Sequence, residues 1–194
     1  MRKDDLLKLM RSKNTVFNIK DISLIWNESN ADFIRKKIFR YLKSEKLYSI
    51  RKGIYSKDKD YNEYELATKI YTPAYISFET VLARAGIVFQ YYGQIFVASY
   101  LSMEIAINGQ KYCFKKLKDS ILTNMTGIEK QDNYFIASPE RAFLDVVYLS
   151  KEYYFDNLSN VNWNNVFEIL PLYHNKRMEK NIKRYRETTL KDLS

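Results

Sequence analysis

The sequence predicts an α+β protein in two parts, residues 1–57 and residues 58–194. Three observations predict it. Short amphipathic helical patterns fill the first part and end in a basic hairpin pattern around Gly53. Period-two alternation on either side of Asn108-Gly109 marks β-structure in the second part. The charge is also divided, since residues 1–57 hold 15 Lys and Arg against 6 Asp and Glu, whereas residues 58–194 hold 17 of each. The whole formal net charge of +9 sits in the first part. A basic module joined to a neutral one suggests a polyanion binder with a second task attached.

Residues 3–12 read as a helix with Leu6, Leu9 and Met10 on one face, broken by "NTVF". Asn18, three residues before Asp21, supplies a cap and a first-turn acid for a second helix that turns Ile22, Ile25 and Trp26 inward. Ser29 and Asp32 have the S-x-x-D capping spacing, and a third helix is expected from about Asn30 to Lys43. At 100° per residue, Ala31, Ile34, Ile38, Tyr41 and Leu42 cluster on one side of it. Asp32, Phe33, Lys36, Arg40 and Lys43 cluster on the other, with Lys37 at the edge. "LYSI" and "IY" then read as two strands around Arg51-Lys52-Gly53, where glycine supplies the positive φ of a tight turn. Three helices and a basic hairpin are the order of a winged helix-turn-helix, here assigned to residues 1–57.

"SKDKDYNEY" (56–64) is polar and marks the boundary. "YELATKIY" is a helix ended by Pro73, and Ser77 is expected to cap "FETVLARA" up to Gly86. "QIFVASYL", "MEIAI" and "QKYCFKKL" read as strands, with Ile105, Ile107, Tyr112 and Phe114 toward the buried face. "NYFIA" is another strand. Ser138-Pro139-Glu140 then opens an apolar helix with cap, first-position proline and first-turn acid. Residues 163–172 form an amphipathic helix broken at Pro171, and residues 174–191 a basic one. The second part is thus a mixed α/β domain.

Composition removes several function classes. At 194 residues and 46% hydrophobic content the chain buries a real core. One cysteine and one histidine exclude an internal disulfide and a Cys/His zinc cluster. No run approaches the ~20 apolar residues of a membrane span, and "MRKDDLLKLMRSK" lacks the apolar stretch of a signal peptide. A cytoplasmic protein without membrane association is expected. With five glycines and no phosphate loop, H-E-x-x-H or G-x-S-x-G, no enzyme and no cofactor is expected. The acidic residues after position 58 are scattered singly, which favours solvated surface over a metal-dependent nuclease centre.

"RKGIY", then "ELATKIYTPAYISFETVLARAGIV", then "ASPERAFLDVVYL", in that order with a β-rich stretch between the last two, resemble the AbiEi family of type IV antitoxin regulators. The resemblance covers nearly the whole chain, through an ordered set of segments rather than one motif. It implies an N-terminal DNA-binding domain that represses its own operon at promoter repeats, and a C-terminal domain needed for antitoxin activity. It also implies a nucleotidyltransferase-type toxin, opposed without a stable complex, in an abortive-infection setting. The family also includes members without a toxin neighbour.

The residues themselves give the candidate interface. Lys36, Lys37 and Lys43 are expected on phosphates, giving affinity that falls with salt. Arg40 suits a guanine edge and Asn30 an adenine edge, while Phe33 meets a thymine methyl or packs inside. Arg51 and Lys52 at the hairpin tip reach the flanking backbone or minor groove. Other candidates have plainer explanations. Seventeen tyrosines suit strands and half-buried positions, with Tyr48, Tyr55 and Tyr112 in core or interface. Arg141 and Asp145 have the spacing of a helix-surface pair. Cys113 reads as a buried inert thiol, and lone His174 as an exposed or capping imidazole. Lys176, Lys180, Lys183 and Arg184 share one helical face, read as solvated surface, or else as a second nucleic-acid patch. Two other readings remain: a stand-alone regulator whose second domain senses a ligand or partner, and, ranked last, a nucleic-acid-processing enzyme.

Overall fold

The structure, a computed structural model, describes residues 4–90 and 92–192. Residue 3, the start of the first expected helix, lies outside the described residues. Helix α1 (Asp4–Arg11) buries Leu9 and half-buries Leu6, but Met10 is exposed, so its inward stripe is narrower than expected. "NTVF" does more than break a helix: Val16–Asn18 is strand β1. Three residues are too few to show a period, and their partners lie about forty residues away (Val16 opposite Ser56). Helix α2 (Ile19–Trp26) carries a reciprocal capping box, with Asn18 Oδ1 accepting from the Asp21 amide at 2.9 Å and Asp21 Oδ2 accepting from the Asn18 amide at 3.0 Å.

Helix α3 (Ala31–Lys43) is capped by Asn30 rather than by the expected Ser29. Asn30 Oδ1 accepts from the Asp32 and Phe33 amides at 3.1 and 3.0 Å. Strands β2 (Tyr48–Arg51) and β3 (Ile54–Ser56) turn at Lys52-Gly53, where Gly53 has φ +81°. The three strands form an antiparallel sheet in the order β1-β3-β2. Phe17, Ile22, Trp26, Ile34 and Ile38 form the core of this N-terminal unit. Neighbours on β1 face opposite ways: Phe17 enters this core, while Val16, with Ile54 of β3, enters the larger core of the rest of the chain. The small sheet is thus covered on both faces, and helix α4 (Glu63–Ile70) lies against its second face.

Beyond α4, a six-stranded mixed sheet has the order β6-β7-β5-β4-β9-β8. Its strands are β4 (Ala74–Ile76), β5 (Gln94–Ser99), β6 (Met103–Ile107), β7 (Gln110–Lys116), β8 (Ile128–Gln131) and β9 (Tyr134–Ala137). The β6–β7 hairpin turns at Asn108-Gly109 as expected, both with positive φ. Tyr112 and Phe114 are fully buried; Ile105 and Ile107 pack half-buried against them. Strands β4 and β8 are not foreseeable from alternation, because every residue of β4 is buried and β8 is a charged edge strand. The short helix α6 (Asp119–Leu122) was also not anticipated.

Ser77 does not cap helix α5 (Glu79–Arg84). Phe78 holds that position at φ +56°, ψ −141°, without a side-chain cap, and the Ser77 hydroxyl is directed elsewhere. Helix α7 (Pro139–Leu149) opens as expected, the Ser138 hydroxyl accepting from the Arg141 amide at 3.2 Å. Helix α8 (Trp163–Ile169) continues as a 3-10 turn through Pro171, which starts that turn instead of ending the helix. His174 follows in the left-handed region, so the last helix, α9, starts at Lys176 and runs to Asp192. His174 is exposed, as one of its two readings had it, and it caps the turn through its backbone amide, which donates to the Pro171 carbonyl, rather than through its imidazole.

Candidate nucleic-acid interface

The four residues between Trp26 and Ala31 set α3 against α2. Asn27 adopts φ +51°, a conformation asparagine tolerates, and its amide donates back to Leu24. Ile34, Ile38 and Tyr41 then seat α3 on the core, with Tyr41 edge-on to Trp26. Burying that stripe fixes what the opposite face shows. Lys36, Arg40 and Lys43 stand exposed along it, and among the described residues none has a carboxylate within ion-pairing distance. Phe33 on the same face is 49% exposed.

Two of the expected contacts are placed otherwise. Lys37 is turned inward and only 6% exposed, and its ammonium pairs with Asp5 of α1 and lies 5.0 Å from the Trp26 ring centroid. It ties α3 to α1 and leaves the outer face. The long stem of a lysine at the stripe's edge reaches over the core to a carboxylate that helical spacing within α3 cannot reveal. Asn30 has its side-chain oxygen occupied as the cap of α3. Sequence reasoning also missed Phe39, 56% exposed, with the Lys43 ammonium 4.9 Å above its ring. The signal was available, since Phe39 and Lys43 are spaced i, i+4.

At the hairpin, Lys52 is exposed in the turn itself. Arg51 is exposed too, yet its guanidinium lies 5.9 Å from the Tyr71 ring and Ile50 packs on the larger core. The hairpin is therefore braced from behind by the second unit.

The seam between the units is polar and buried. Glu65, fully buried, accepts from the Thr15 amide and hydroxyl at 2.8 and 2.7 Å. Lys69 donates to the Val16 carbonyl at 2.7 Å and to Asp21 at 2.8 Å, and pairs with Glu65 at 3.1 Å. These contacts clamp β1 and the cap of α2 onto α4.

A second polar centre lies in the larger unit, and it overturns the expected surface pair. Arg141 and Asp145 are both fully buried, 3.4 Å apart. Asp145 accepts from the hydroxyls of Ser77 at 2.7 Å, Tyr75 at 3.0 Å and Tyr173 at 2.7 Å. Arg141 donates to the Ile121 and Thr126 carbonyls and to the Tyr75 hydroxyl. Burial pushes the Asp145 carboxyl up from its ordinary range, against the pull of Arg141 and the three hydroxyls. Burial likewise drives the Tyr75 and Tyr173 hydroxyls well above theirs. The side chains of the cluster are buried, and they join β4, α6, α7 and the 3-10 turn.

Most other acids after position 58 lie on the solvated surface as expected, but three more depart from it. Glu65, Glu79 and Glu140 are buried, with Glu79 held by Lys115 at 2.9 Å and Glu140 accepting from the Asn162 amide at the start of α8. Among the described residues no cluster of His, Cys, Asp and Glu has metal-binding geometry, and no helix is long and apolar enough to cross a membrane. Cys113 is half-buried rather than buried, and desolvation raises its thiol pKa, leaving it a weak nucleophile. Tyr112 is buried, and Tyr55 packs half-buried on the N-terminal core. Lys176, Lys180, Lys183 and Arg184 of α9 are all exposed. Comparison with known protein families returns no matching family model, and no curated protein matches the chain.

Proposed function

We propose that residues 1–57 are a winged helix-turn-helix that holds duplex DNA, and that the chain is a transcriptional repressor of its own operon. The observation that carries this is the outer face of α3: Lys36, Arg40 and Lys43 are exposed and, among the described residues, free of carboxylate partners, and Lys52 is exposed in the hairpin turn. The helix–turn–helix arrangement of α2 and α3, followed by a hairpin, supports the same reading. Its phosphate contacts are Lys36, Lys43 and Lys52, and Arg40 is the base-reading group, with Phe33 and Phe39 as apolar contacts in the groove. Lys37 and Asn30 hold the reading helix in place instead of touching DNA.

The wider role rests on the resemblance to AbiEi antitoxin regulators carried by "RKGIY", "YISFETVLARAGIV" and "ASPERAFLDVVYL". In that role residues 58–194 oppose a nucleotidyltransferase-type toxin, and the chain itself catalyses no reaction. A gel shift on the chain's own upstream region tests the DNA reading. Three phosphate contacts give a log–log salt slope of about −3. Lys36→Ala combined with Arg40→Ala should abolish specific retardation; retention at unchanged affinity would remove α3 as the reading element. Growth rescue on co-expression with a toxin of that type tests the antitoxin role separately.

A further inference from the structure

The two edges of the six-stranded sheet are finished differently. Edge strand β8 shows Glu129, Lys130 and Gln131 to solvent, charged dressing of the kind that keeps a sheet end from pairing. Edge strand β6 has no lysine, no proline and no bulge in its register with β7. Its hairpin closes at Ile107 opposite Gln110 around a two-residue turn. Met103, Ile105 and Ile107 therefore bond inward to β7, and the N–H and C=O groups of Glu104 and Ala106 point outward. Among the described residues no backbone group meets them. The β2–β3 hairpin comes near without covering them. Its Arg51 leans on Tyr71, which lies edge-on to Phe114, so it approaches β6 from one face of the sheet. A groove of about 410 Å³ separates Ile50 and Arg51 from residues 105–108.

The side chains of β6 match a second β6. Laid antiparallel on a copy, the outward groups find partners only where Glu104 or Ala106 faces Glu104 or Ala106 of that copy. Centring on Glu104 sets glutamate against glutamate, which is repulsive. Centring on Ala106 runs Glu104 into the turn at Asn108. Centring on Ile105 sets Glu104 opposite Ala106, matches the strand along its whole length, and lets each such pair exchange two main-chain bonds. On one face Met103, Ile105 and Ile107 then meet Ile107, Ile105 and Met103 of the copy. This covers Met103, 45% exposed, and the two half-buried isoleucines. On the other face Lys111 lies beside Ala106, so the copy's Glu104 falls in the same row two strands away, about 10 Å between Cβ atoms. The long side chains close that gap over the alanine methyl. Both groups are exposed and, among the described residues, have no ion-pair partner within the single chain. An exposed pair adds little affinity, so it selects the register rather than driving association.

We propose that β6 is the interface between two copies of this chain, paired antiparallel about a two-fold axis at Ile105, so that the two sheets run on as one. The contact is short, so the dimer forms as concentration rises. It is independent of the DNA-binding reading.

Cysteine trapping of the full chain, in a Cys113→Ser background with oxidised glutathione, tests the register. Opposed residues in a non-hydrogen-bonded pair have Cα atoms about 4.5 Å apart, within reach of a disulfide. The two copies of residue 106 would stand about 9 Å apart, beyond the ~7 Å limit. Ile105→Cys should run as a covalent dimer and Ala106→Cys as a monomer. Ala106 is the more exposed of the two, so random collision gives the opposite order. That order, or equal trapping, overturns the register. Sedimentation of the unaltered chain should rise from one chain mass toward two with concentration. Ala106→Pro removes only an outward N–H, as prolines on natural edge strands do. It should hold the mass at one chain while melting as the unaltered chain does. A mass of one chain at every concentration, or a dimer that Ala106→Pro leaves intact, overturns the interface.

Discussion

Cations are placed in opposite ways on α3 and on the strand and helix that carry Lys115 and Arg141. On α3, Lys36, Arg40 and Lys43 are exposed and, among the described residues, have no carboxylate within ion-pairing distance, so their charge faces solvent. On α7 and β7, Arg141 and Lys115 are bound to Asp145 and Glu79, and their charge is satisfied within the fold. Lys37 sits on α3 yet belongs to the second class, because its partner is buried Asp5. Net charge by region therefore overstates an interface. The informative quantity is how many cations remain once internal pairs are removed, and on α3 those that remain form one continuous face.

The comparison is broken most easily at the buried end. Asp145→Ala leaves Arg141 charged in a dry core and removes the acceptor of three hydroxyls. Unfolding stability should fall by about 3–5 kcal/mol, read from the urea midpoint at unchanged slope. A loss below about 1 kcal/mol would mean that the pair behaves like a surface pair after all. Lys37→Ala is the second break. It strands Asp5, although Lys8 stays 3.9 Å away, and should cost about 3 kcal/mol of stability. Its salt slope for DNA should stay as in the unaltered chain; a slope shallower by about one contact would return Lys37 to the phosphates.

Lys36→Ala with Arg40→Ala sharpens the comparison from the other side. Both groups are exposed and unpaired, so folding stability should move by less than about 0.5 kcal/mol. The salt slope should fall by about one contact, that of Lys36, and affinity by one to two orders of magnitude. Unchanged stability with lost binding separates the reading face from the clamp beneath it, which Lys37→Ala weakens.

How much of this was legible follows the range of the interactions. The α2 box, the α7 opening and the Asn108-Gly109 turn were readable because each is decided within four residues. The exposed face of α3 was readable because helical period alone places it. Lys37 was not, because Asp5 lies 32 residues away on another helix. The Asp145 cluster was hidden for the same reason. Ser77 looks like a cap in sequence and is a ligand of a carboxylate 68 residues on. Strands β1 and β4 escaped since three residues carry no period and their partners are distant in the chain.

The smallest expected effect lies at the hairpin, where two neighbouring cations divide in the same two ways. Lys52 sits in the turn, exposed, whereas Arg51 leans on Tyr71 and shares its surroundings with Ile50. Lys52→Ala should weaken DNA binding by less than about 1 kcal/mol and remove about one contact from the salt slope, with stability unchanged. Arg51→Ala removes a cation–ring contact worth about 0.5–1 kcal/mol at an exposed site. It should lower stability by that amount and leave the slope nearly intact. If the effects were exchanged, with Arg51 carrying the salt dependence, the bracing of the hairpin by Tyr71 would be a resting contact that DNA displaces, and the line between internal and external cations would have to be redrawn through the hairpin itself.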